Sequence, residues 1–121
     1  MAALITPVAD GVQREAAELL KAGHRNKALR RLRRHSGLGL VPAVRAAELL
    51  AQGHRLPSTY AEGLVNLRSA AADVVAEMTT MLQQGQSTAA IKRLRKQTDI
   101  DLAGGYHLVR ELARELGIPQ D

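Results

Sequence analysis

KALRRLRRHSGLGLVPAVRAA, residues 27–47, is the stretch that decides the fold class. Leu29 and Leu32 stand three apart, the spacing of one apolar stripe on a helix. Lys27, Arg30, Arg31 and Arg34 fall at i, i+3, i+4 and i+7, so their charges share another face of that helix. Gly37 offers a stop, because glycine tolerates positive φ at little cost. Leu40, Ala43, Val44, Ala47 and Leu50 then mark the expected buried stripe of a second helix. Only Gly-Leu-Gly-Leu, residues 37–40, lies between the two. The stretch predicts two short, tightly turned helices with one arginine-rich outer face.

Working outward, residues 1–8 read as a loose arm, and Asp10 as the N-cap of a first helix. Val12, Ala16, Leu19 and Leu20 keep helical spacing up to Gly23, which closes that helix. Asn26 is the expected cap of the second helix, which runs to about His35. The third runs from about Leu40 to Gln52 and ends at Gly53, with Pro42 in its first turn, where the missing N–H removes no ladder bond. Pro57 breaks the connector that follows. Thr59 and Glu62 are spaced as a capping box. From there to Gln84 the chain is almost all helix former, which predicts one long helix with a candidate interruption near Arg68-Ser69. Gly63 should weaken its first turns by ~1 kcal/mol relative to alanine. No sustained alternation of β-branched residues supports a strand.

The pattern then returns 62 residues on. Arg31-Leu32-Arg33 reappears as Arg93-Leu94-Arg95, Glu15 as Glu77, Gly23 as Gly85, Leu40 as Leu102 and Pro57 as Pro119, without a gap. Residues 11–57 and 73–119 therefore read as two copies of one three-helix unit. The expected fold is all-α: a first unit over residues 1–57, then a connector helix and second unit over residues 58–121, sharing one compact domain. The second copy keeps Lys92, Arg93 and Lys96 on its basic face, but Lys27 becomes Ala89. Its turn reads Asp99-Ile100-Asp101-Leu102, in which Asp101 can cap the next helix and Asp99 forfeits the easy left-handed stop.

Composition sets the remaining bounds. The 121 residues contain no Phe, Trp or Cys, and Tyr60 and Tyr106 are the only aromatics. The core must come from Leu, Val, Ile, Met and Ala, and a homodimer burying further apolar area is an accompanying expectation. Without Cys there are no disulfides or thiolate metal sites. No apolar run approaches the ~20 residues of a membrane span. The N-terminus lacks the basic start and long apolar core of a signal peptide, so no membrane association and a cytoplasmic location are expected. The formal charge of +5 favours an acidic partner, either protein or nucleic acid.

Residues 26–48 resemble the helical hairpin in the C-terminal domain of the large-subunit ribosomal stalk protein. That family carries an Ile-Lys-x-Val-Arg helix, a Thr-Gly-Leu-Gly-Leu turn and a helix beginning Lys-Glu-Ala-Lys. Leu29, Arg30, Leu32 and Arg33 match its first helix, Ser36 to Leu40 its turn, and Ala43 its second helix. Ile91, Lys92, Leu94, Arg95, Thr98 and Leu102 match less fully in the second copy. Val41 and Val44 stand where the family has two lysines, and the family's flanking β-strands have no counterpart in the pattern. The family's hairpin docks translation-factor GTPases through its basic surface. The resemblance implies that role for Arg30 and Arg33, and by repeat for Lys92 and Arg95.

The residue inventory argues against an enzyme: there is no Cys nucleophile, no phosphate-cradling Gly-rich loop and no spaced pair of His ligands. Gly104-Gly105 opens a helix but no P-loop Lys follows. His24, His35, His54 and His107 have no metal-ligand spacing, so no metal and no cofactor are expected. Two readings of the basic face remain. In the first, Lys27, Arg30, Arg31, Arg33 and Arg34, with Lys92, Arg93, Arg95 and Lys96, dock an acidic protein surface. In the second, the hairpin is a helix-turn-helix that neutralises nucleic-acid phosphates. Against base reading, the helix after the turn offers little beyond Arg45 and Glu48 on its exposed side.

Overall fold

A computed structural model describes residues 1–120. The helices are α1 (Ala2–Ile5), α2 (Asp10–Lys21), α3 (Arg25–Arg34), α4 (Leu40–Ala51), α5 (Tyr60–Ala70), α6 (Ala72–Gln83), α7 (Ser87–Thr98) and α8 (Leu102–Glu115). Among the described residues there is no strand, and the fold is all-α. None of these helices is long and apolar enough to cross a membrane. α2, α3 and α4 begin at residues 10, 25 and 40, and α6, α7 and α8 each begin 62 residues later.

Glycine ends four of the helices by one device. Gly23, Gly53, Gly85 and Gly117 take φ between +71° and +85°. The residue after each donates its N–H back five positions, as His24 does to the Leu19 carbonyl at 2.8 Å and Gln86 to that of Met81 at 2.8 Å. The glycine's own N–H reaches back three positions, as Gly23 does to the Leu20 carbonyl at 3.1 Å, so two orphan carbonyls are satisfied in the Schellman arrangement. Gly37 behaves otherwise. α3 stops at Arg34, and Gly37 is not left-handed; the left-handed stop belongs to Asp99, at φ 59° after α7. This reverses the expectation for the two turns. Aspartate tolerates that region because its short polar side chain can bond locally. Gly37 serves close approach instead: a Cβ there would stand 2.8 Å from Asp101 Oδ2.

The capping predictions divide. Asp101 Oδ1 accepts from the Gly104 N–H at 2.9 Å, and Thr59 Oγ1 from the Glu62 N–H at 3.1 Å. Asp10 and Asn26 cap nothing. α2 and α3 start earlier than expected, with Ala9 and His24 at the N-cap, and Asp10 instead pairs with Arg55 at 3.0 Å. Glu62 reaches back to the Ser58 N–H at 2.6 Å and the Ser58 hydroxyl at 2.8 Å, and also meets Arg55 at 3.0 Å. The Ser58 amide, then its hydroxyl and Arg55, hold the Glu62 carboxyl down at about 2. A depressed carboxyl stabilises the fold above its ordinary value of 4.5 and loses that contribution as pH falls toward 2. The Tm gap between wild type and Glu62→Gln should therefore be constant above pH 4.5 and close on acidification. A gap that persists undiminished at pH 2 would rule this out.

Residues 1–8 are not a loose arm. Ala2, Ala3, Ile5 and Val8 are buried, and α1 packs on α4 and α5. The long helix expected over residues 59–84, with a candidate interruption near Arg68-Ser69, is two helices, and the break falls at Ala71 (φ −150°, ψ 62°). α5 also packs against α8. Two aliphatic clusters result. One joins Val8, Ala16, Leu29, Leu32, Leu38, Ala43, Ala47 and Leu56. The other joins Leu64, Leu67, Val74, Met78, Leu94, Ile100, Leu108 and Leu112, and receives Ile5 from α1. The buried stripe of α4 is rotated from the expected one, to Ala43, Ala46, Ala47 and Leu49. Val44 and Leu50 are only partly buried, and Leu40 is 55% exposed.

Candidate functional site

The basic residues of α3 are placed by its hydrophobic ones. Ala28, Leu29 and Leu32 are buried in the first cluster. Helical spacing then turns Lys27, Arg30, Arg31 and Arg34 toward α2 and solvent. The Schellman turn at Gly23 folds α3 back beside α2, so that a groove opens between them. It has a volume of about 590 Å³ and is lined by Lys27, Arg30, Arg31 and Arg34 on one wall and by Glu15, Glu18, Leu19 and Ala22 on the other.

Within the groove the cations differ in role. Arg31 Nε donates to Glu15 Oε2 at 2.5 Å and ties the two walls together. Lys27, Arg30 and Arg34 have no ion-pair partner among the described residues and are exposed. Arg33 is exposed on another side of α3 and does not line the groove. The expected four-residue face is thus a groove with three available cations and one tie, and Arg33, the fifth candidate for docking, lies off it.

The second hairpin, α6–α7, repeats the tie. Arg93 Nε donates to Glu77 Oε2 at 2.5 Å, sixteen residues apart as in the first hairpin. The bound Glu77 carboxylate raises the Arg93 guanidinium above its ordinary value. Lys92 and Lys96 are exposed and without an ion-pair partner among the described residues. Arg95 is exposed but engaged locally: its Nε donates to the Ile100 carbonyl at 3.4 Å, and its stem lies where a Cβ on Gly105 would come within 3.2 Å. The Gly104-Gly105 pair therefore serves close packing.

The α4 helix has little with which to read bases. Arg45 and Glu48 pair with each other at 3.4 Å, and Val41 near its start is apolar and 79% exposed. The hydroxyls are occupied locally: Ser36 Oγ donates to the Leu32 carbonyl at 2.5 Å, and Thr98 Oγ1 to that of Leu94 at 2.8 Å. His107 stacks on Tyr60, with ring centroids 5.3 Å apart. Among the described residues no three His, Asp or Glu side chains gather as a metal site would require. Sequence reasoning missed the carboxylate wall of the groove. The signal was present in Glu15 and Glu18, which stand on the α2 face that the Gly23 turn brings against α3. Comparison with protein-family models, curated proteins and solved structures returns no match.

Proposed function

We propose that the chain is a non-catalytic, cytoplasmic docking module whose α2–α3 groove receives an acidic segment of a protein partner. One observation carries this reading: Lys27, Arg30 and Arg34 stand along a groove beside Leu19 and Ala22, with no ion-pair partner of their own among the described residues. Cations next to apolar surface suit a helix or extended peptide bearing spaced carboxylates and a hydrophobic anchor. The facing carboxylates favour protein over nucleic acid. A duplex presents one negative charge per ~1.7 Å of axis, and a continuous phosphate line would be forced against Glu15 and Glu18. A peptide can space its acids to avoid them. The resemblance of residues 26–48 to the ribosomal stalk hairpin supports the same reading and would make the partner translation-related.

A second reading, phosphate contact by nucleic acid, has the net charge of +5 in its favour. Two probes separate the readings: a labelled synthetic helix with Glu at i, i+3 and i+7 beside a Leu stripe, and a labelled duplex of about 20 base pairs. The peptide should bind, and Arg30→Gln with Arg34→Gln should weaken it about tenfold at low salt. Binding of the duplex alone, with a steep linear fall on log–log salt axes, would replace the protein reading with the nucleic-acid one.

A further inference from the structure

The two halves meet through equivalent parts. Ala2–Ile5 of α1 lies 62 residues before Leu64–Leu67 of α5, and these helices pack on each other. Leu4 and Asn66, themselves 62 apart, touch directly: Asn66 Nδ2 donates to the Leu4 carbonyl at 2.6 Å. At another junction the α3–α4 turn meets the end of the α7–α8 turn, with Gly37 against Asp101. Repeats that stack head to tail bring unlike surfaces together, whereas like on like is what a two-fold axis produces. The two halves thus read as a fused pseudo-dimer with the Leu4–Asn66 contact near its axis.

A two-fold gives the α2–α3 pair a counterpart in α6–α7. The first groove carries four cations and two carboxylates. Sixty-two residues on, Lys27 has become Ala89 and Glu18 has become Thr80. Among these counterparts one positive and one negative charge are lost together, while Asp73, in place of Gly11, adds a carboxylate that acts on Arg93. The Arg–Glu tie is retained, and Lys92 and Lys96 stand free where Arg30 and Arg34 do.

From this we propose that the α6–α7 face, through Lys92 and Lys96, is a second docking site for the same kind of acidic segment, so that one chain takes two. This rests on the docking reading of the first groove. The occupant follows from charge complementarity: two exposed cations one turn apart, beside an arginine already neutralised by Glu77.

Calorimetric titration of the full chain with the synthetic acidic helix tests it. Wild type should saturate at two peptides per chain. Lys92→Gln with Lys96→Gln should raise the Kd of one site about tenfold and leave the other unchanged, and Arg30→Gln with Arg34→Gln should do the converse. All four residues are exposed and unpaired, so both variants should keep the wild-type circular dichroism and Tm. Saturation at one peptide, unaffected by Lys92→Gln with Lys96→Gln, would overturn the second site and leave the first standing. No peptide binding by wild type would overturn both, whether or not the duplex binds.

Discussion

Gly63→Ala is expected to destabilise the protein by about 3 kcal/mol, although alanine is the better helix former by ~1 kcal/mol. The reason is the crossing of α1 and α5. A Cβ on residue 63 would lie 2.4 Å from the Ile5 carbonyl oxygen and 3.1 Å from its carbon. Those are backbone atoms, which cannot swing aside as a side-chain end can. To admit the methyl group, α1 must lift, and two things go with it. Ile5, now fully buried in the second cluster, loses part of its burial, worth ~2 kcal/mol or more for a side chain of that size. The Asn66–Leu4 bond across the junction is stretched. Gly11→Ala is the matched control. Gly11 is helical and a Cβ there would meet nothing within 4 Å, so the same exchange should stabilise by ~0.5–1 kcal/mol. Urea unfolding of the pair measures the contrast, and amide exchange over residues 2–5 locates it. If Gly63→Ala were as stable as wild type, the close crossing of α1 and α5 could not be right.

Gln13→Leu should cost a similar amount, about 3 kcal/mol, for a different reason. Gln13 is 6% exposed and bonds closely to backbone on both sides of its amide. Its amide nitrogen donates to the carbonyls of Val8 at 2.8 Å and Leu56 at 2.9 Å, and its oxygen accepts from the Leu56 N–H at 2.9 Å. Leucine matches it roughly in size but satisfies none of these buried groups, and each orphan costs ~1–3 kcal/mol unless water enters. Gln13→Glu supplies the discriminating variant. A carboxylate facing two carbonyls is held toward its neutral form, so its folded pKa is raised. Its destabilisation relative to wild type should then be greater at about pH 7 than at about pH 4. Equal destabilisation at both pH values would mean the side chain matters only for its volume. The second half has Val75 at the corresponding position and has no need of an amide there. Ile118, the counterpart of Leu56, gives its N–H to the Ala113 carbonyl at 2.8 Å.

Much of the architecture was legible because it is local. Gly23, Gly53 and Gly85 end helices where they were expected to, since a left-handed residue after a helical run needs no distant partner. The caps at Thr59 and Asp101 are equally short-range. The hairpin face followed from Leu29 and Leu32, whose burial leaves only one side for Lys27, Arg30 and Arg34. What was misread depends on contacts far along the chain. Gly37 and Gly63 look like helix breakers, and both are places where another part of the chain comes close. Asp10 looks like a cap and is taken by Arg55, 45 residues away. The site was half legible for the same reason: the cations of α3 read directly from their spacing, while Glu15 and Glu18 join them only once α2 is laid alongside.

By itself the amino-acid order determined that this chain is helical, where most helices stop, and that residues such as Arg31-Leu32-Arg33 and Gly23 have matches 62 positions on. Those are matters of backbone preference and side-chain period, settled within a turn or two of helix. Tertiary packing alone decided that α1 is a buried helix, and which arginines are tied and which are free. Each of those depends on an apolar surface or a carboxylate brought from elsewhere, and the energy of such a contact outweighs the fraction of a kilocalorie by which a local preference differs.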